Sequence, residues 1–205
     1  MTTSNIPLFP LSRALYPDGI LHLRIFEVRY LDMIKNSIEA GEQFGVVPLL
    51  EGSEVRTPTG KEVLANAGTL ARIDKWDSPM AGLINLRCTG TTSFRLQASK
   101  QARYGLWNGQ VELIEPDPIA PIPGALRASA NRLGKLIADM QKDGTPTEAM
   151  PMCSPFRLDE CGWVANRWCE LLMLPPLKQQ EMLLDRDPVQ RLENVQKILT
   201  ELRLI

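Results

Sequence analysis

The residues best suited to catalysis lie in one early stretch, "IPLFPLSRALYPDGILHLRIFEVRYLDMI" (6–34), which contains His22, Glu27 and Arg29. Together they could supply a general base, an orienting carboxylate and an anion-binding guanidinium. The segment "ILHLRIF" alternates apolar and polar residues, which places His22 and Arg24 on the solvent face of a strand. No carboxylate or nucleophile lies beside His22 in that pattern. The spacing therefore favours a surface histidine over a general base.

Cys153 and Ser154, in "MPMCSPF", are the candidate nucleophiles. A thiol or hydroxyl nucleophile needs an orienting base, and His22 lies far away along the chain in a different predicted subdomain. A hydrolase that pairs Cys153 or Ser154 with His22 stays an alternative only if folding brings these side chains within hydrogen-bond reach. A loop cysteine without catalytic function is the favoured interpretation.

Motifs for other enzyme classes are missing from the sequence. It has no GxxxxGK[ST], GxSxG or HExxH, which argues against ATP hydrolysis, α/β-hydrolase chemistry and zinc peptidase chemistry. A single histidine excludes multi-histidine metal sites, and the cysteine spacing does not match structural zinc. We therefore predict no enzymatic activity, no metal and no cofactor. The cysteines are predicted to be reduced thiols: Cys88, Cys153, Cys161 and Cys169.

Composition indicates an ordinary globular protein. The chain has 205 residues, of which 44% are apolar and 23% charged, and its net charge is -1. Because nucleic-acid binding rests on neutralised phosphates, this balance argues against it. The N-terminus lacks the pattern of a signal peptide, and no apolar run is long enough to cross a bilayer. The expected location is the cytoplasm, with no membrane association.

Four large side chains on predicted loops are candidates for binding polypeptides. Trp76 and Met80 lie in "DKWDSPMAG" (74–82), and Tyr104 and Trp107 lie in "RYGLW" just before the last strand. Such side chains are commonly packed inward. The alternative is an adaptable apolar contact surface, which methionine and aromatic residues supply at promiscuous sites.

The order of elements predicts an α+β protein in which strands precede helices. Strands are expected up to about residue 115, interrupted by one helix with the stripe Tyr30, Leu31, Ile34 and Ile38 that Gly41 ends. A polar hairpin is expected around "TPTG" (57–60). Glu27 and Arg29 are expected to fix the start of the helix to neighbouring strands without pairing with each other.

Helices are predicted for the rest of the chain, after the proline-rich linker "PDPIAPIPG" (116–124). We place the boundary there, giving a β subdomain at 1–118 and a helical subdomain at 119–205. The last helix has the clearest start, with Asp187 as N-cap, Pro188 at N1 and Gln190 completing a capping box.

The combined pattern resembles the N-terminal substrate-recognition domain of Lon proteases. The resemblance rests on Pro-Leu-Phe-Pro-Leu (Pro7 to Leu11), the turn at Pro17 and Gly19, and Phe-Glu-x-Arg-Tyr (Phe26 to Tyr30). Phe94 and Arg95 follow Gly90, where the family more often has Arg-Phe. The end of the chain, "LPPLKQQEMLLDRDPVQRLENVQKIL" (174–199), is also similar to the family, so the resemblance covers nearly all residues.

This resemblance implies a PUA-like β pseudo-barrel of six strands with one inserted helix, followed by a C-terminal helical bundle. It also implies a domain that holds unfolded or degron-bearing polypeptides for a degrading machine. Because no ATPase or peptidase motif follows, we expect a stand-alone, non-catalytic recognition module that serves as an adaptor or regulator of proteolysis. Its partner would be a separate protease. Binding is expected on the apolar barrel surface and in the cleft between barrel and helices.

RNA binding is the alternative function, since PUA-like folds elsewhere bind RNA. It requires Arg13, Lys100, Arg103 and Arg127 to cluster on one face, and the affinity would then fall steeply with salt.

Overall fold

The computed structural model of the protein describes residues 3–54 and 61–205, so the hairpin expected around residues 57–60 lies outside the described residues. The strands are β1 (Thr3–Leu11), β2 (Ile20–Ile25), β3 (Phe44–Glu51), β4 (Val63–Leu64), β5 (Ala67–Met80), β6 (Leu83–Gln101) and β7 (Trp107–Leu113). The α-helices are α1 (Val28–Ala40), α2 (Arg127–Lys142), α3 (Cys161–Leu171), α4 (Pro176–Leu184) and α5 (Pro188–Glu201).

The strands form one sheet that curls into a nearly closed ring. Its order is β1-β7-β6-β5-β3, and β1 also pairs with β3 in parallel, with Leu8 opposite Gly45, which completes the ring. β2 pairs along β6, and the two-residue β4 pairs with β3. The predicted α+β fold, a pseudo-barrel with an inserted helix and C-terminal helices, is confirmed. Within the described residues the sheet has seven strands where six were expected.

β6 is longer than the sequence pattern suggests. Two predicted strands, 82–90 and 93–99, form one continuous strand through "TGTT", which we had expected to be a turn. Gly90 lies at the junction, and a Cβ atom there would lie only 2.2 Å from the Tyr16 carbonyl oxygen. Because glycine has no side chain, the Tyr16 loop can pack against β6 without breaking the strand.

The inserted helix α1 packs on the outside of the barrel as predicted. Tyr30, Met33 and Ile34 are buried against strand residues that include Ile84 and Leu86. Gly41 ends the helix in the left-handed conformation, with φ of 67°, which glycine adopts at little cost. A second apolar cluster fills the barrel interior; it contains Leu8, Val47, Ala65, Phe94, Leu96 and Val111.

Helices α2 to α5 share a core that also includes barrel residues. Leu133 on α2, Val164 on α3 and Leu192 on α5 are fully buried there, together with Tyr16 from the loop before β2. Most of the apolar residues that the 3.6-residue period predicts for α2, α3 and α5 therefore face this core, but Leu202, predicted on the last stripe, is exposed. No regular element lies between β7 and the 3-10 turn at Gly124, which precedes α2. The exact boundary at 118/119 stays a prediction.

The start of α5 confirms one part of the predicted cap and corrects another. Asp187 accepts hydrogen bonds from the backbone N–H groups of Val189 (2.9 Å) and Gln190 (3.2 Å), as an N-cap does. The prediction that Gln190 completes a capping box was wrong. Its side chain donates to Glu193, because the Asp187 N–H is already bonded to the Asp185 carboxylate.

Candidate functional site

The candidate catalytic residues are only partly brought together. His22 is exposed on β2, opposite Arg87 of β6. Arg87 donates from Nη2 to the Cys153 sulfur (2.8 Å) and from Nη1 to Asp74 (3.0 Å). Cys153 therefore lies beside the strand partner of His22. In the part of the chain that the structure describes, however, no hydrogen bond joins His22 to Cys153 or Ser154, so the thiol faces an arginine donor and not a base.

Glu27 and Arg29 form an ion pair, contrary to the prediction that they do not meet. Arg29 Nε lies 3.1 Å from Glu27 Oε2. The prediction assumed helical geometry for both residues, but Glu27 is the N-cap residue and has extended backbone, with ψ of 133°. Arg29 also donates to Glu62, to the Gly105 carbonyl and to the Glu54 carbonyl. The pair is thus part of a buried structural network that ties α1 to the barrel.

Neither metal binding nor reactive thiols emerge from the described residues. Across residues 3–54 and 61–205, no group of three His, Cys, Asp or Glu side chains could hold a metal ion. Burial raises the pKa of Cys88 and of Cys169 to about 12, so both are neutral thiols. The four cysteines are free. No helix in the described ranges has the length and apolar character needed to cross a membrane.

Trp76 and Met80 lie on a strand and not on the predicted turn. They belong to the last part of β5, and the turn comes later, at Ala81 and Gly82. Both side chains are more than half exposed. The hydrogen-bond ladder between β5 and β6 is irregular between Asp77 and Met80. Pro79, which has no N–H to donate, lies in this irregular part, so the strand can continue past it.

Tyr104 and Trp107 have different environments. Tyr104 lies in a short 3-10 helix, Arg103–Gly105, with a left-handed φ of 61°, and its side chain is more than half exposed under the Arg103 guanidinium. Trp107 is half-buried against the interior cluster of the barrel, and its indole N–H donates to Glu62. Trp107 is therefore mainly a packing residue, whereas the other three candidates present apolar surface.

Two further apolar residues that sequence reasoning missed, Phe26 and Val28, are also more than half exposed. Ile25 pairs with Ile84, which puts Phe26 level with Leu83, and Leu83 in turn pairs with Met80. The hydrogen bond from Arg29 to Gly105 brings the start of α1 next to the Tyr104 turn. We name this set the apolar rim; its members are Phe26, Val28, Trp76, Met80 and Tyr104.

The signal for Phe26 and Val28 was present in the sequence. Val28 falls off the Tyr30, Ile34 and Ile38 stripe, so the helical period alone puts it on the outer face. Both residues belong to the motif Phe26 to Tyr30, which was interpreted only as a folding signature, so their exposure was not predicted.

Three of the four basic residues proposed for RNA binding line three different clefts. Arg13 lines a cleft beside α3 and α4, Lys100 lines another between β6 and β7, and Arg127 lines a third beside Phe156 and Leu158. Phosphate binding along a backbone requires neighbouring cations. RNA binding stays a prediction.

Residues 5–201 match the sequence model of a protein family, the ATP-dependent protease La (LON) substrate-binding domain. The chain belongs to this family. The LON substrate-binding domain therefore accounts for nearly all of its length, as the resemblance implied.

Solved structures agree with this assignment. The crystal structure of a Lon N-terminal domain protein from Xanthomonas campestris is 30% identical and has a TM-score of 0.72, over 95% of this chain and 98% of that one. The N-terminal domain of Mycobacterium avium complex Lon protease shares the fold, with a TM-score of 0.56 at 16% identity over 94% and 96% of the chains. No curated protein matches the sequence.

Proposed function

We propose that this LON substrate-binding domain is a non-catalytic module that recognises unfolded or degron-bearing polypeptides and acts as an adaptor or regulator of proteolysis by a separate protease. The observation that carries the proposal is the apolar rim on a domain of this family. Trp76, Met80 and Tyr104 are each more than half exposed, as are Phe26 and Val28 near the start of α1.

The chemistry of the rim suits a ligand without fixed shape. Unfolded chains differ from folded ones by their exposed apolar side chains, and burying these against the rim releases water from both surfaces. Met80 has a flexible, polarisable side chain that can fill irregular gaps, and Trp76 and Tyr104 offer large contact areas. Such a surface favours binding to many different sequences over recognition of a single one. Among the described residues, Cys153 accepts a hydrogen bond from Arg87 and none joins it to His22, which supports a role without catalysis.

Binding to a permanently unfolded protein tests the proposal. We expect fluorescently labelled, reduced and carboxymethylated α-lactalbumin to bind in an anisotropy titration, whereas native α-lactalbumin does not. The triple variant Trp76→Ser, Met80→Ser, Tyr104→Ser should bind at least about tenfold more weakly, because each lost anchor removes buried apolar area. Trp107 is left intact because its substitution would disturb the barrel core.

The double variant Met173→Ser, Leu177→Ser is the matched control. These side chains are more exposed than those of the rim variant but lie on the helical part of the chain. It should bind with wild-type affinity. Equal losses in the two variants would show that general surface hydrophobicity, and not the rim, controls binding. No binding by the wild-type protein would overturn the proposal.

A further inference from the structure

Strand β2 is paired on one side only. Among the described residues it pairs with β6 along its whole length and with no other strand. An isolated bridge joins Gly19, just before β2, to Met152. Beyond this bridge, no backbone hydrogen bond reaches the other side of β2 in the part of the chain that the structure describes. Such an edge offers N–H and C=O groups with which another chain can pair.

Two residues of β2, His22 and Arg24, direct their backbone groups toward this open side. The Gly90 N–H donates to the Gly19 carbonyl (2.9 Å), and these two residues continue the register of the β2–β6 ladder by one pair. Hydrogen-bonded and non-hydrogen-bonded pairs alternate in an antiparallel ladder. Every second residue of β2, counted from Gly19, is therefore bonded to β6. The N–H and C=O groups of His22 and Arg24 point away from β6, and we name them the free edge of β2.

The two faces of β2 differ in character next to the free edge. On one face the side chains of His22 and Arg24 are exposed, and no carboxylate pairs with Arg24 among the described residues. On the other face Leu21 and Leu23 are half-buried and pack against the cluster that includes the buried face of α1. Side chains of an added strand would alternate between these two faces. The edge therefore suits a segment in which acidic and apolar residues alternate, since cross-strand pairs of opposite charge are stabilising.

We propose that an extended segment of an unfolded polypeptide binds by adding an antiparallel strand to the free edge of β2. Its backbone exchanges hydrogen bonds with His22 and Arg24, its acidic side chains lie beside those two residues, and its apolar side chains lie beside Leu21 and Leu23. Binding through the backbone tolerates many sequences, and the side chains supply the preference. The inference rests on the proposed function and deepens it, because it names the binding mode and the sequence pattern of the ligand.

The position of the edge suits this ligand better than a second copy of the chain. Two β2 strands paired antiparallel around Leu23 would set His22 opposite Arg24 twice, and β2, "ILHLRI", contains no acidic residue to pair with Arg24. Basic side chains on an edge strand discourage pairing between copies. Phe26, an exposed member of the apolar rim, follows β2 directly, so a segment bound to the free edge has a rim residue at one end.

Peptides that differ only in the position of backbone N-methyl groups test strand addition. The parent is N-acetyl-Ser-Val-Glu-Val-Glu-Val-Ser amide, titrated calorimetrically into the full chain. N-methylation of both glutamates removes the N–H groups that donate to β2 and should weaken binding at least about tenfold. N-methylation of the first two valines removes N–H groups that point to solvent and should change the affinity less than about threefold. Equal affinities of the two methylated peptides, the reverse order, or no binding of the parent at millimolar concentration would overturn the proposal.

Proline substitutions in β2 test the direction of its backbone groups. His22→Pro removes an N–H of the free edge and should weaken binding of the parent peptide at least about tenfold, while the melting temperature stays within a few degrees of wild type. Leu23→Pro, the matched control, removes a bond to β6 and should lower the melting temperature far more. If the two variants lose equal stability, the free edge is wrongly assigned. A wild-type dimer that His22→Pro converts to a monomer in sedimentation equilibrium would assign the edge to a second copy and overturn the proposal.

Charge reversal at Arg24 tests the preference for acidic segments. Arg24→Glu changes an exposed side chain and should weaken binding of the parent peptide at least about tenfold. The same variant should bind the peptide with lysines in place of both glutamates more tightly than wild type does. A structural role of Arg24 would not exchange the two preferences. Unchanged affinity of Arg24→Glu for both peptides would contradict the proposed register.

The same variants distinguish this inference from the proposed function. Carboxymethylated α-lactalbumin should bind His22→Pro and the rim triple variant more weakly than wild type, whereas the parent peptide should lose affinity for His22→Pro alone. If unfolded α-lactalbumin binds wild type and His22→Pro equally, only strand addition is refuted. If the peptide binds wild type while unfolded α-lactalbumin does not, the proposed function is refuted and the peptide site stands.

Discussion

At the scale of single residues, Arg29 shows how charge serves the architecture of this domain. Its guanidinium is buried, pairs with Glu27 and Glu62, donates to two carbonyl groups and lies 4.5 Å from the centre of the Tyr30 ring. A buried arginine is tolerated only when its donors are satisfied in this way. The charged motif that suggested catalysis is therefore a structural clamp at the start of α1.

Removing this clamp should be costly. We expect Arg29→Met to lower the free energy of unfolding by about 3–5 kcal/mol, because Glu27 and Glu62 then keep buried charge without a cation. Urea denaturation followed by circular dichroism measures the loss. Lys35→Met, at an exposed position of the same helix, is the control and should stay within about 0.5 kcal/mol of wild type. If Arg29→Met loses no more stability than Lys35→Met, Arg29 does not clamp the start of α1.

At the scale of elements, α5 shows which end signals of a helix are dependable. Its apolar stripe and its Asp187 cap follow from short-range geometry, so the sequence predicted both correctly. The capping box predicted for Gln190 requires a free Asp187 N–H, but this N–H donates to the Asp185 carboxylate. Asp185, which lies before the helix, therefore prevents the capping box.

This difference gives a paired prediction for α5. Asp187→Ala should lower the free energy of unfolding by about 1 kcal/mol, because two backbone N–H groups lose their acceptor. Gln190→Ala should change it by less than about 0.5 kcal/mol, since the hydrogen bond from its side chain to Glu193 is solvent-exposed. Thermal and urea unfolding of the two variants test the contrast. A larger loss of stability in Gln190→Ala than in Asp187→Ala would support the capping box.

The β5–β6 hairpin shows where element prediction failed. The segment "WDSPMAG" carries the Asp, Ser and Pro residues typical of turns, which predicts an early end to β5. Cross-strand pairing with β6 keeps the strand going to Met80, and Gly82, with φ of 79°, supplies the turn. Local turn propensity does not include the stabilisation that this cross-strand pairing provides, so the composition of the segment did not reveal the strand. As a result, the rim residues Trp76 and Met80 are held on a strand.

At the scale of the whole molecule, Glu170 links the barrel to the helices. It lies on α3, accepts a hydrogen bond from the Tyr16 N–H (3.1 Å) and pairs with Arg167 (3.0 Å). Arg167 in turn donates to the Pro17 carbonyl (2.7 Å). Desolvation by burial raises the Glu170 pKa from its ordinary 4.5 to about 7, against the opposing effect of Arg167.

The raised pKa predicts a pH-dependent effect of Glu170→Gln. Between pH 4.5 and about 7 the folded protein holds this proton more tightly than the unfolded chain, so the Glu170 contribution to stability falls as pH rises. Glutamine mimics the protonated acid and removes that loss. The free energy of unfolding of the variant should match that of wild type near pH 4.5 and exceed it at pH 8 by up to about 3 kcal/mol. Because the Glu170 side chain is 16% exposed, solvent screening lowers this upper limit.

Urea unfolding of both proteins at pH 5, 6, 7 and 8 measures this difference. Glu160→Gln, at the carboxylate that precedes α3 and pairs with Arg157, is the control for removal of a negative charge near this helix. A Glu170→Gln protein that is less stable than wild type at every pH would mean that the ion pair with Arg167 outweighs the cost of burying the charge.

The sequence by itself determined the fold class, the family and the apolar stripes of α1, α2 and α5. These features depend on periods of two and 3.6 residues and on local caps, which are properties of neighbouring residues. It also provided three members of the rim, Trp76, Met80 and Tyr104, although it placed the first two on a turn. The binding role of Trp107 stays a prediction.

Only the tertiary structure decided how remote residues meet. It added Phe26 and Val28 to the rim, paired Glu62 with Arg29, and placed Asp117 of the linker against Arg191 of α5. No local pattern encodes these contacts, because they arise when β6 pairs with both β2 and β5 and when the helices pack against the closed ring. Composition and periodicity specify the surfaces of each element, whereas packing specifies which surfaces remain open to a ligand.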